Sequence, residues 1–220
     1  MRGEKGFTLI ELMIAVFVAG VLMTAVYSAY VSQQKAYTTT EGLAEMQQNL
    51  RAAMYFMAKE IRMAGCNPRG EADDAGFNAI GANGVSFTMD IRGQAATDPP
   101  DGDTGDLNED ITYSLSDWNG DGTNDLMRNT PPDGDQPVAE NIDALNFVYL
   151  DSNENVTADR LAVRSVQITL VARSTKRDPD FTDTTTYTNM QGATVLPAQN
   201  DNFRRRALST HIKCRNMGLH

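Results

Sequence analysis

Glu11 is the residue with the most chemistry to explain. It stands inside an apolar run from Phe7 to Tyr30, FTLIELMIAVFVAGVLMTAVYSAY, and no Lys, Arg or His lies between Gly6 and Lys35 to pair with it. A carboxylate in the middle of an apolar helix costs roughly 2.5–3.5 kcal/mol even on the lenient insertion scale, so it is normally kept because it has a partner. That partner is expected from outside the segment. A cut between Gly6 and Phe7 would create an α-amino group one helical turn from Glu11. The same amine on another subunit could meet this carboxylate during assembly, offsetting the desolvation of both.

The run is 24 residues long, about 36 Å as a helix, enough to cross a bilayer. Arg2 and Lys5 flank it on the N-terminal side, which predicts a cytoplasmic leader and a chain exported beyond the helix. An ordinary secretory signal would share the basic start and the apolar run, with small residues near Ala25 to Ala29 for cleavage; Glu11 argues against it. The stretch Lys5-Gly6-Phe7-Thr8-Leu9-Ile10-Glu11 resembles the class III signal of type IV pilins and type II secretion pseudopilins. The resemblance implies cleavage after Gly6 by a prepilin peptidase, N-methylation of Phe7 and use of Glu11 in subunit docking. It also implies an inner-membrane assembly platform driven by a cytoplasmic ATPase, and other pilins or pseudopilins as partners through the N-terminal helix.

A second group of residues has metal-ligand spacing. Asp117, Asn119, Asp121 and Asp125, with the Thr123 carbonyl, follow the pattern D-x-N-x-D-G-x-x-D. Alternate positions of a tight loop can converge on one Ca²⁺, which takes six to eight oxygens. An EF-hand would need Glu at the twelfth position, where this chain has Arg128. The same residues also fit an acidic hairpin, because Asn-Gly and Asp-Gly are turn dipeptides and Ile111 to Leu115 could pair with Leu126 to Asn129. The further acidic stretch from Asp98 to Asp110 is less regularly spaced and reads as a solvated loop.

The cysteines are Cys66 and Cys214, in no CxxC spacing. They either bridge the end of the helix to the last strand, as an oxidising compartment would allow, or remain two buried thiols. His211 and His220 are not paired for metal or triad work, and no HExxH, GxSxG or phosphate-binding glycine loop is present. Catalysis is not expected.

The elements that position these groups follow from periodicity. Leu43, Met46, Leu50, Ala53, Met57, Ile61 and Ala64 recur at spacings of three and four, predicting one apolar stripe on a helix that stops at Gly65. Met54 and Met63 are read with Met46 and Met57 as core filling. Thr38 to Thr40 and Gly42 are weak helix formers where local bending or melting is expected. After Pro68 the period becomes two: Val85 to Ile91, Ile111 to Leu115, Leu145 to Asp151, Val166 to Ala172 and Leu208 to Cys214 read as strands. The fold class is α+β, a long N-terminal helix packed on an antiparallel sheet. The divisions are a leader at 1–6, an assembly helix at 7–30, its amphipathic continuation at 31–65 and a head at 66–220.

The formal net charge of −10 leaves no basic surface for nucleic acid; Arg204 to Arg206 read as solvated. The segments AENIDALNFVYLD, RSVQITLVARS and RRRALSTHIKCRN resemble PilW-type minor pilins and, more distantly, J-type pseudopilins. The expectation is a minor type IV pilin in the inner membrane, single-pass with its head in the periplasm, incorporated into or priming a filament that reaches the cell surface. The alternatives are a type II secretion pseudopilin, and a membrane-anchored or secreted calcium-dependent binding domain or hydrolase.

Overall fold

A computed structural model describes residues 6–95 and 97–218; the expected cytoplasmic leader charges, Arg2 and Lys5, and His220 lie outside the described residues. Helix α1 (Leu9–Ile61) runs unbroken through Thr38 to Gly42. Within it Thr38 Oγ1 donates to the Lys35 carbonyl (3.0 Å) and Thr40 Oγ1 to the Ala36 carbonyl (2.8 Å), so both hydroxyls find partners on their own helix. The chain divides into two compact units, residues 1–42 and 43–220. The last part of α1, from Leu43, thus falls in the same compact unit as the head.

In the first unit every large apolar side chain from Phe7 to Val31 is exposed, and the helix is long and apolar enough to cross a membrane. In the second unit the expected stripe is buried: Ala53, Met57, Ile61 and Ala64 have no exposed area, with Met46, Leu50 and Met54 beside them. Met63 falls off the stripe and stays 39% exposed, correcting its reading as core filling. The helix ends at Ile61, and the chain turns at Gly65, whose φ of +75° suits glycine.

The head contains more than the single sheet expected. Strands β1 (Phe77–Gly81), β2 (Gly84–Thr88), β3 (Asp110–Ser116), β4 (Asp125–Thr130) and β5 (Gly134–Ala139) form an antiparallel meander in chain order. Strands β6 (Ile142–Leu150), β7 (Ser165–Arg173) and β10 (Arg205–Lys213) form a second sheet with β7 in the centre, and β8 (Tyr187–Thr188) with β9 (Thr194–Leu196) a small hairpin. The first two sheets share one core with the helix stripe, in which Phe77 meets Phe87 and Tyr149 edge to face. Tyr149 Oη also donates to the Gly81 carbonyl at 3.1 Å, joining the two sheets.

Strand β7 is buried on both faces, not on one as alternation predicts. Its polar residues are matched by partners: Thr169 Oγ1 lies 2.9 Å from Ser209 Oγ, and Gln191 Nε2 donates to Gln167 Oε1 at 3.0 Å. Side-chain pairing of this kind lets polar groups sit in a covered face at little cost.

Candidate functional site

At the N-terminus of α1, Thr8 and Glu11 cap the helix reciprocally. Glu11 Oε2 accepts from the Thr8 backbone N–H (2.8 Å) and hydroxyl (2.7 Å), while Thr8 Oγ1 accepts from the Glu11 N–H (3.4 Å). This is the T-x-x-E capping box, and it gives the isolated chain a local use for Glu11 that the charge argument overlooked. It supplies no countercharge. Phe7, beside the expected cut at Gly6, is 89% exposed, and Glu11 is exposed among apolar neighbours. The face is chemically incomplete: one carboxylate on an apolar surface, positioned by a rigid helix end.

The loop joining β3 to β4 is built around Asp117. Its Oδ1 accepts from the N–H groups of Gly120 (2.8 Å) and Asp121 (3.1 Å), and its Oδ2 from that of Gly122 (3.0 Å). Asn119 Oδ1 accepts from Asp121 N–H, and Asp121 Oδ1 from the N–H and hydroxyl of Thr123. Hydrogen bonds from Thr123 hold the Asp121 carboxyl below its usual range. The hairpin reading of the sequence is the observed backbone, with Leu115 opposite Leu126 and Ser116 opposite Asp125. Asp125 is buried on β4, where Oδ1 accepts from Asn141 N–H at 3.1 Å and Oδ2 has no partner. Its bonded oxygen thus faces the turn before β6.

The stretch from Asp98 to Asp110 is more than a solvated loop. Glu109 is fully buried: Oε1 accepts from the N–H groups of Ile91 (2.7 Å) and Arg92 (3.0 Å), and Oε2 from that of Asp106 (3.2 Å). Asp90, also fully buried, accepts from Gly102 N–H at 3.2 Å through Oδ2. Among the described residues, Asp101, Asp103 and Asp106 bring their carboxylate oxygens within 4.8 Å of one another. Burial pushes the carboxyls of Asp90, Asp106 and Glu109 up; Asp101 and Asp103 push Asp106 further, and Asp101 does the same to Asp90.

Cys66 and Cys214 are free thiols in the structure. Cys66 is fixed by its carbonyl accepting from Asp90 N–H (2.7 Å), and Cys214 by its N–H donating to the Arg164 carbonyl (2.9 Å). Both side chains pack as apolar filler at the core. Burial raises both thiols, Cys214 to about 12.

Two ion clusters escaped the sequence reading. Arg128 Nε donates to both carboxylate oxygens of Glu60 at 3.1 Å, and Tyr113 Oη donates to Glu60 Oε2 at 2.5 Å, fixing the end of α1 to β3 and β4. Arg205, expected to be solvated, is buried; its guanidinium reaches Asp143 (2.5 Å), Asp183 (3.2 Å) and Asp201 (2.6 Å). Arg204 pairs with Asp178 at 2.7 Å and lies over the Phe181 ring, leaving only Arg206 exposed as expected. The partners of Arg205 lie 4 to 62 residues away in the chain, so no local motif announces them.

Residues 1–27 match the family described as the prokaryotic N-terminal methylation motif, and residues 112–216 that described as type IV pilus-assembly protein W. A solved type IV-like pilin from Thermus thermophilus is similar in fold, with a TM-score of 0.51 at 17% identity over 79% of this chain and 98% of that one. No curated protein matches the chain.

Proposed function

We propose that this chain, a minor type IV pilin of the PilW type, enters its filament by exchanging the Thr8 cap of Glu11 for the amino group of a neighbouring subunit. A prepilin peptidase cuts between Gly6 and Phe7 and methylates the new terminus. The inner membrane holds the apolar helix until an assembly platform passes the subunit to the filament, while the head stays on the periplasmic side. The observation that carries this reading is a carboxylate, capped but without a countercharge among the described residues, on a helix whose large apolar side chains from Phe7 to Val31 are all exposed.

Lipid tails are as apolar as the helix, so burial alone gives adjacent helices no preferred register. Charge pairing at Glu11 supplies that register, and neighbouring helices then cover apolar surface that leaving the membrane would expose to water, at roughly 25 cal/mol per Å². The head contributes lateral contacts, and the chain acts as a structural component, not a catalyst. The match over residues 112–216 supports the pilus over a type II secretion filament. Glu11→Ala tests the mechanism: the variant should insert and be processed normally but be missing from sheared filaments. Recovery of the variant in filaments at the wild-type level would sink it.

A further inference from the structure

We propose that Asp101, Asp103 and Asp106, backed by Asp90, form a site for a hard divalent cation of the calcium class on the head. Convergence is the first observation. Oxygens bound to one Ca²⁺ at about 2.4 Å lie no more than about 4.8 Å apart, and the three carboxylates meet that limit. The donor set contains neither sulfur nor imidazole, which selects calcium or magnesium over the softer transition metals.

Two orphaned oxygens provide the second observation. Asp90 is fully buried, yet its Oδ1 has no hydrogen-bond partner; the same is true of Asp106 Oδ2, itself out of contact with solvent. Asp90 is aimed at the cluster, since its other oxygen holds the N–H of Gly102, between Asp101 and Asp103. A buried carboxylate oxygen left unpaired is costly, and a cation is the group that would repay several at once.

Two arginines lie beside the cluster: Arg69, whose guanidinium donates to the Asp101 carbonyl at 3.2 Å, and Arg92, whose charge acts on Asp106. An open groove alongside, lined by Glu71, Asp74, Asp103 and Asp110 among others, adds negative charge that concentrates cations. Gly102 is needed where it stands: at φ +100°, a Cβ would lie 2.7 Å from Glu71 Oε2. The three ligands are thus presented by a turn that tolerates no side chain there. The site is separate from the Asp117 loop, where both oxygens of Asp117 accept from backbone N–H groups, and it does not depend on how the N-terminal helix assembles.

The test uses the detergent-solubilised full chain. Calcium chloride, with magnesium chloride as comparison, is titrated by calorimetry up to about 10 mM, covering the range of extracellular calcium sites, and thermal unfolding is followed with calcium and with chelator. The expected result is one calcium per chain and a rise in Tm of about 3–6 °C at ten times Kd. Asp106→Asn should abolish that rise without lowering the chelated Tm, because it removes a repelled charge. Should Asp106→Asn fail to fold, the surface pair Asp101→Asn with Asp103→Asn gives the same reading. The pair Asp117→Asn with Asp121→Asn should keep the full rise. No heat and no shift up to that concentration would overturn the proposal. So would a rise lost only in the Asp117 and Asp121 variant, which would place the cation on the β3–β4 loop instead.

Discussion

Replacing Arg205 by Ala should be the most damaging single change of charge in the head. The guanidinium side chain is 2% exposed, between Asp183 at 0% and Asp143 at 15%. Removing it strands at least one fully buried carboxylate, and breaking a buried pair by removing one partner costs about 3–5 kcal/mol. For a domain of this size, where 1 kcal/mol shifts Tm by about 2–4 °C, the loss is about 6–20 °C. The acid limb should change too. Burial works to raise Asp183, but hydrogen bonds from Thr185, Arg205 and Tyr187 outweigh it, and Arg205 chiefly holds Asp201 down. Lowered carboxyls contribute stability above their unfolded value near 3.9 that is lost as pH falls through the folded value, so Arg205→Ala should flatten that acid loss. Differential scanning calorimetry between pH 3 and 7, ~4 units wide, reads both effects. Pairing Arg205→Met with Asp183→Asn should recover part of the loss, because no buried charge is then left alone. A Tm drop below about 2 °C, or a double variant no better than the single one, would refute this reasoning.

The carboxyls of Asp90, Asp106 and Glu109 act in the opposite sense. Because burial raises them, the folded state binds more protons than the unfolded one, so in chelator stability should fall as pH rises from about 4 through the raised values. Added calcium should remove that decline, as Tm measured against pH would show. For the thiols, the partly exposed Cys66 should react with a maleimide well before the buried Cys214, which titrates at about 12. Mass spectrometry of unreduced protein should find both labelled after unfolding; finding neither labelled would mean that the two are bridged.

What the sequence disclosed depended on how local the physics was. The stripe from Leu43 to Ala64 was legible because a helix repeats its buried face at three and four residues. The β3–β4 hairpin was legible because Asn119-Gly120 and Asp121-Gly122 are turn formers. The two-sided burial of β7 was not, since its second face is covered by side-chain partners such as Gln191, far along the chain. Arg205 looked like one of three surface arginines because charge alone does not reveal burial. The acidic loops were ranked by regularity of spacing, whereas convergence at Asp101, Asp103 and Asp106 is set by Asp90 and Glu109 anchoring the loop from beneath. Thr8 and Glu11 did carry a legible signal, the T-x-x-E box, masked by the greater oddity of a carboxylate in an apolar run.

The central claim, that this chain is a processed pilin whose N-terminal amine and Glu11 act in assembly, is tested most directly at the N-terminus. Protein isolated from its native membrane should begin at N-methylated Phe7 in cells that have the prepilin peptidase and at Met1 in cells that lack it, as read by mass spectrometry. A chain that starts at Met1, or near Ala29, whether or not the peptidase is present would contradict the account.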